Sequence, residues 1–400
     1  MNEENDIEFV DEDDAPLDAS ITRQFSQAVL YSSDWTVETI VSQLSRGNIE
    51  LNPNFQRRDA WPIKSKSRFI ESLILGLPIP QLVLAERPGS RGRYIVLDGK
   101  QRLLSLLQFT GQASGPNNNF ALSGLEIRND LSRLRFARMQ ERAEHQDDFN
   151  AFLNHTIRTV VIRNWPSLLF LHLVFLRLNT GSMKLSPQEL RQALIPGEFS
   201  VYIDQEASKS NALQRLLSRN SPDPRMRDVE ILVRFLSFRN FIEKYNGRMK
   251  PFIDDSYKAF SENWDKYEPA VASQIEQFEQ GVLALIEIFG SNGIARKPGS
   301  SSFNRAIFDA LIFYAHNQKI RDAMRARADQ VRNVYLRIMD DNEFAQAIES
   351  DTAGIPNTVN RLEIWGAALQ FALDMKIATP TLLEDPEHLA QRRIVFSGFS

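Results

Sequence analysis

The sequence predicts an α+β fold, a mixed α/β N-terminal half followed by an all-helical C-terminal half, on three observations. Strand-like runs QLVLAE, RYIVL and TIRTVVIR alternate with helix-spaced segments before residue 164. Beyond about residue 200 such runs stop, and DVEILVRFLSFRNFIEKY, AVASQIEQFEQGVLALIEIFG, SFNRAIFDALIFYAH and VNRLEIWGAALQFAL space large apolar residues as helices do. With 400 residues, 42% of them hydrophobic, the chain has apolar content for two or three domains. The expected division is an acidic disordered tail over 1–25, an α/β domain over 26–200 and a helical domain over 201–400.

Taken in order, DWTVETIVSQLSRG puts Val37, Ile40, Val41 and Leu44 on one helical face and stops at Gly47. The extended piece IELNPNF follows. PIKSKSRFIESLILGLPIP then gives a helix with Phe69, Ile70, Leu73 and Ile74 inward, ended by Gly76 and Pro78. QLVLAE and RYIVL form a hairpin through Pro88, Gly89 and Gly92. The stretch LDGKQRLLSLLQF turns from strand to helix, with Asp98 as N-cap and Gln101 three residues on as its capping-box partner. That helix stops near Gly111, before the loop GQASGPNNN. TIRTVVIR, rich in β-branched residues, is a third strand. The run Leu168 to Leu176 reads as a buried core helix, and Ser186, Pro187 and Glu189 open SPQELRQAL with a capping box.

Several function classes are disfavoured. No cysteine is present, which excludes disulfides, thiolate zinc sites and cysteine nucleophiles. The five histidines show no ligand spacing, so no metal site is expected. The acidic start MNEENDIEFV lacks a secretory pattern, and no apolar run approaches the roughly 20 residues that span a bilayer, so a cytoplasmic protein without membrane contact is expected. Residues 1 to 20 carry nine carboxylates and no Lys or Arg; removing them from the net charge of -4 leaves +5 on residues 21 to 400. Such a tail aids solubility or shields a basic groove.

Three clusters carry candidate chemistry. Lys100 and Arg102 sit in the first turn of a helix, where cations are disfavoured by roughly 0.3 to 1 kcal/mol each unless an anion is close. Asp98 could be that anion; a phosphate held by the helix N-terminus is the other reading. In NPNFQRRDAWPIKSKSR, Arg57, Arg58, Lys64, Lys66 and Arg68 are interleaved with Phe55 and Trp61, a pattern that suits phosphates and stacked bases, or a solvated loop with two aromatic core anchors. In FLRLNTGSMKLS, Arg177, Asn179 and Thr180 offer donors at a helix end, which Gly181 could equally close as an ordinary C-cap.

Together NPNFQRRDAW, SLILGLPIP, VLDGKQRLLSL, FLRLNTGSMKLSPQELRQAL and RMRDVEILVRFL resemble, in the same order, the N-terminal domain family of GmrSD-type restriction enzymes, over roughly residues 34 to 240. The resemblance implies a ParB/sulfiredoxin-like core, a nucleoside triphosphate site with Mg2+ as its companion, hydrolysis in some members, and service in bacterial defence against phage or modified foreign DNA. It places the D-G-Q-Q-R motif on Asp98, Gly99, Lys100, Gln101 and Arg102, the Q-R and W signature on Gln56, Arg57 and Trp61, and the R-L-N-T-G arginine and asparagine on Arg177 and Asn179. Asp98, Gln101 and Arg102 are then the catalytic candidates, and Gln56, Arg57, Gly99, Lys100, Arg177 and Asn179 hold the nucleotide. Arg58, Trp61, Lys64 and Arg68 would face nucleic acid, DNA before RNA. Lys100 departs from the family's glutamine, which puts hydrolysis in more doubt than binding. Residues 241 to 400 offer only His316 and His388, without the acidic or asparagine partners of a metal-dependent nuclease. The helical half is therefore read as a module for dimerisation, sensing or docking a partner nuclease. The competing class is a non-enzymatic DNA- or partner-binding adaptor whose pocket grips backbone phosphate without turnover.

Overall fold

The structure, a computed structural model, describes residues 29–51, 59, 61–113, 117–166, 170, 171, 174, 186–195, 197–383 and 393–396. The expectations for the acidic tail, Gln56, Arg57, Arg58, Arg177, Asn179 and His388 lie outside these residues, as does most of the Leu168 to Leu176 run. Two compact units make up the chain, one spanning Asp18–Leu194 and the other Ile195–Ser400.

The first unit is built on a five-stranded mixed sheet of β1 (Val29–Thr36), β2 (Ile49–Glu50), β3 (Leu82–Glu86), β4 (Tyr94–Asp98) and β5 (Thr156–Arg163), in the order β1-β5-β3-β4-β2. β3 pairs antiparallel with β4, as the hairpin reading requires, and parallel with β5. Because side chains alternate along a strand, β3 feeds two cores: Leu82 and Leu84 into one, Val83 and Ala85 into the other. The first core is covered by α1 (Val37–Ser45), α2 (Ile63–Ile74), α3 (Lys100–Phe109), α4 (Phe136–Glu141) and α5 (Gln146–Asn154). Val37, Ile40, Val41 and Leu44 of α1, and Phe69, Ile70, Leu73 and Ile74 of α2, are buried there. On the opposite face Phe170, Leu171 and Leu190 pack on Val83, Ala85, Leu97 and Ile162. Leu190 belongs to α6 (Pro187–Leu194).

Two segments differ from expectation here. DWT, expected to open a helix, ends β1 instead, and Thr36 caps α1 by accepting from the Thr39 N–H at 3.1 Å. Residues 29–34 of β1 are exposed, so they lack the apolar alternation that marks a half-buried strand.

The second unit is helical throughout most of its length: α7 (Glu198–Lys209), α8 (Asn211–Leu216), α9 (Arg227–Phe241), α10 (Met249–Glu262), α11 (Trp264–Phe289), α12 (Arg305–Ala315), α13 (Gln318–Ala326), α14 (Ala328–Met339), α15 (Asn342–Glu349) and α16 (Ile355–Leu373). All four apolar segments expected as helices are helices. Strands do not vanish, however: β6 (Pro380–Leu383) and β7 (Arg393–Phe396) pair antiparallel. At four residues each, they are too short to show a period. Arg234 of α9 holds Asp309 of α12 through Nε contacts of 2.8 and 2.7 Å, both side chains being buried.

Candidate functional site

Asp98 ends β4 and Lys100 begins α3, so the direction of the chain turns on Gly99 alone. Gly99 adopts φ +96°, and a Cβ there would lie 2.2 Å from Leu82 Cδ2, so this position needs glycine on both counts. The N-cap of α3 is Gly99, not Asp98, which corrects the expected capping box. The Asp98 carboxylate is engaged elsewhere: Oδ1 accepts from the Gly99 N–H at 2.7 Å and Oδ2 from Arg102 Nη2 at 2.9 Å. No side chain caps α3, and its leading N–H groups carry the partial positive charge of a helix start.

The two cations of this turn both have carboxylate partners. Lys100 Nζ donates to Glu189 Oε1 at 2.6 Å, with the two side chains 7% and 5% exposed. Glu189 is the capping-box residue of α6: Oε2 accepts from the Ser186 N–H at 2.7 Å and its own N–H donates to Ser186 Oγ at 3.1 Å. One carboxylate thus ties the start of α6 to the start of α3. Arg102, besides Asp98, donates to the carbonyls of Pro80 and Gln81, the latter at 3.1 Å. Glu189 and Asp98 therefore offset the unfavourable position of the cations, and Asp98, one of the two anions considered from the sequence, is a partner the structure shows for Arg102. Glu189 lies 89 residues from Lys100, so local reading could not pair them.

Gln101 stands out by contrast. Its Oε1 is buried and has no hydrogen-bond partner among the described residues. A buried amide oxygen without a donor costs about 1 to 3 kcal/mol, so this position is explained better by what it could receive than by what it holds.

The NPNFQRRDAW region divides in a way its composition did not show. Trp61 is partly buried against the core, edge-on to Phe69 at 6.1 Å, and Lys64 is exposed. Arg68 pairs with Glu126 at 2.7 Å and donates to the Gly124 carbonyl at 3.3 Å. Lys66 turns inward, fully buried and paired with Asp59, so its place among the phosphate-facing cations is corrected. Asp59 Oδ2 also accepts from Gln108 Nε2 and Asn117 Nδ2, each at 3.0 Å. Asp59 and Gln108 were missed as candidates; the signal for Asp59 was its position inside the motif. A further missed residue is Glu71, whose carboxylate receives the N–H groups of Glu126, Ile127 and Arg128 at 3.0, 2.8 and 2.6 Å.

For Mg2+, the described residues hold no group of three or more His, Asp or Glu side chains, and both Asp98 oxygens already accept hydrogen bonds. That donor set does not fit a protein-held cation. No helix among the described residues is long and apolar enough to cross a membrane.

No curated protein and no solved structure that was compared with the chain matches it. A family model does match, and four of the five ordered motifs fall within it, RMRDVEILVRFL lying beyond its end. The matched stretch takes in α1 through α6, with the Gly99 turn, Gln101 and the Lys100–Glu189 pair near its centre and end. Residues 37–196, two fifths of the chain, match the model described as "GmrSD restriction endonuclease, N-terminal domain", and it is this part of the chain that is similar to that family.

Proposed function

We propose that the first unit binds a nucleoside triphosphate at the N-terminus of α3, and that the chain acts with nucleic acid in a restriction-type defence system. The observation that carries this reading is the start of α3, whose leading N–H groups no side chain caps and which follows directly on the Gly99 turn. The match of residues 37–196 to a domain family named for restriction endonucleases supports the system. In this reading the α3 N–H groups and the side-chain amide N–H of Gln101 donate to the phosphates, while Asp98 and Arg102 brace one another and hold the turn. The family's remaining elements supply Gln56, Arg57, Arg177 and Asn179. Lys100 acts through Glu189 as a positioning residue. Turnover is a separate question, decided by phosphate release with and without DNA.

A second reading, the non-enzymatic adaptor, is favoured by one observation: Lys100 and Arg102 already have carboxylate partners, which weakens the pocket's pull on a triphosphate. Titration of DNA across salt separates the two. Nucleotide changes the DNA affinity of a switch, whereas an adaptor shows strong, salt-dependent affinity that nucleotide leaves alone.

A further inference from the structure

The loop after α3 gathers cations from separate stretches of the first unit. Lys64 of α2 lies over Gly124, where a Cβ would stand 2.7 Å from its Cγ, and Arg68, one turn further along α2, donates to the Gly124 carbonyl at 3.3 Å. Two residues back, the Leu122 carbonyl accepts from the Arg133 N–H at 2.8 Å, and the Leu122 N–H donates to the Leu134 carbonyl at 2.9 Å. Arg135 reaches the Asn119 carbonyl through Nη1. Residues 119–124 thus carry Lys64, Arg68, Arg133 and Arg135 along one short stretch of backbone, and Arg138 follows in α4.

Lys64, Arg133, Arg135 and Arg138 are exposed, and none has a carboxylate partner among the described residues. The carboxylates of α2 and of residues 117–142 are mostly engaged: Glu71 by three backbone N–H groups, Glu126 by Arg68 at 2.7 Å and Asp130 by Arg128 at 2.7 Å, which leaves Glu141 against the four cations. Arg133 adopts φ +66°, the left-handed region that favours glycine or asparagine, so the turn by itself does not call for arginine. Its side chain bonds no described residue, and its outward charge is what the position supplies. The neighbouring rings face inward, Phe136 packing on Phe109 at 5.8 Å and Trp61 on Phe69 at 6.1 Å. A surface of guanidinium and ammonium groups without a stacking ring suits the phosphates of a duplex better than unstacked bases.

We propose that Lys64, Arg133, Arg135 and Arg138 form a docking surface for duplex DNA, which they hold by its phosphate backbone without reading its sequence. This rests on the nucleic-acid reading above and gives it a place toward the far end of α3 from its start, since the Asn119 N–H donates to the Gln108 carbonyl at 2.7 Å. Arg68, tied to Glu126 and Gly124, positions the loop. Each cation that meets a phosphate releases condensed counterions, so salt sets the affinity.

The test is fluorescence anisotropy of labelled duplexes of about 20 base pairs, titrated with the full chain between about 50 and 200 mM KCl. The parent binds two unrelated sequences within about threefold of each other. Arg133→Gln with Arg138→Gln lowers the affinity at the lowest salt at least about tenfold and flattens the slope of log affinity against log salt by about 2, and Lys64→Gln with Arg138→Gln does the same. Lys319→Gln with Arg337→Gln, which removes two exposed cations of α13 and α14, makes the same change in net charge and stays within about twofold of the parent. Urea midpoints equal to the parent's identify the variants as folded. A parent that binds no DNA overturns this surface and the nucleic-acid reading together. A parent that binds while both folded pairs keep its affinity and slope, or while the Lys319 and Arg337 pair falls as far as they do, overturns the surface and leaves that reading standing. Tighter binding of a single strand of the same length overturns the duplex assignment.

Discussion

Replacing Lys100 with methionine keeps the length of the side chain and removes its charge. Glu189 then loses the donor on Oε1 and keeps only the Ser186 N–H on Oε2, within a site where its side chain is 5% exposed. A carboxylate left buried without its ion-pair partner costs about 3 to 5 kcal/mol. At the lower figure, and at roughly 2 to 4 °C per kcal/mol for a unit of this size, the melting transition falls by about 6 to 12 °C. The second change Glu189→Gln removes the stranded charge while its amide oxygen still accepts from Ser186, so the double variant recovers at least half of the loss. Thermal and urea unfolding of parent, both single variants and the double variant complete a double-mutant cycle. A Lys100→Met protein within about 1 kcal/mol of the parent would refute the claim that this pair holds α3 to α6.

Glu71→Gln should cost about 2 kcal/mol, because three backbone N–H groups lose a charged acceptor. Burial pushes the Glu71 carboxyl up, but the N–H groups of Arg128, Glu126 and Ile127, with Arg68 nearby, outweigh it and hold it below its ordinary value of 4.5. Its stabilisation is therefore present above that value and lost as pH falls through the folded one, and an acid titration of stability shows a step that Glu71→Gln lacks. His316 is pushed down to about 4 by burial and by the charges of Arg239 and Arg321. The unfolded chain takes up that proton first, so stability declines as pH falls from about 6.5 towards 4, by about 3 kcal/mol in all, and His316→Phe flattens that part of the profile. Gly99→Ala should cost at least about 2 kcal/mol, from positive φ and the contact with Leu82; urea midpoints equal to the parent's would count against the turn geometry.

Elements whose periods are long enough to repeat were legible. TIRTVVIR became β5 to the residue, and the inward faces of α1 and α2 are those their spacing predicts. Exposed β1, four-residue β6 and β7, and α4 and α5 gave too little apolar repetition to be recognised. The two capping boxes show where local reading ends. Ser186 and Glu189 close as expected, each side chain accepting the other residue's backbone N–H. At Asp98 the same pattern fails, since Gly99 in the left-handed region shifts the cap by one residue and Arg102 takes the carboxylate. The partners that decide the site's electrostatics, Glu189 for Lys100 and Asp59 for Lys66, depend on tertiary contacts that no spacing encodes.

Gln101→Ala provides the most direct test of the central claim, because the Gln101 side-chain oxygen bonds no described residue and its removal breaks no hydrogen bond there, so the variant should fold no less stably than the parent. Calorimetric titration of nucleoside triphosphates into both proteins is the measurement. The account predicts saturable binding to the parent and at least about a tenfold loss in the folded variant; equal affinity in the two, or no binding to either, would contradict it.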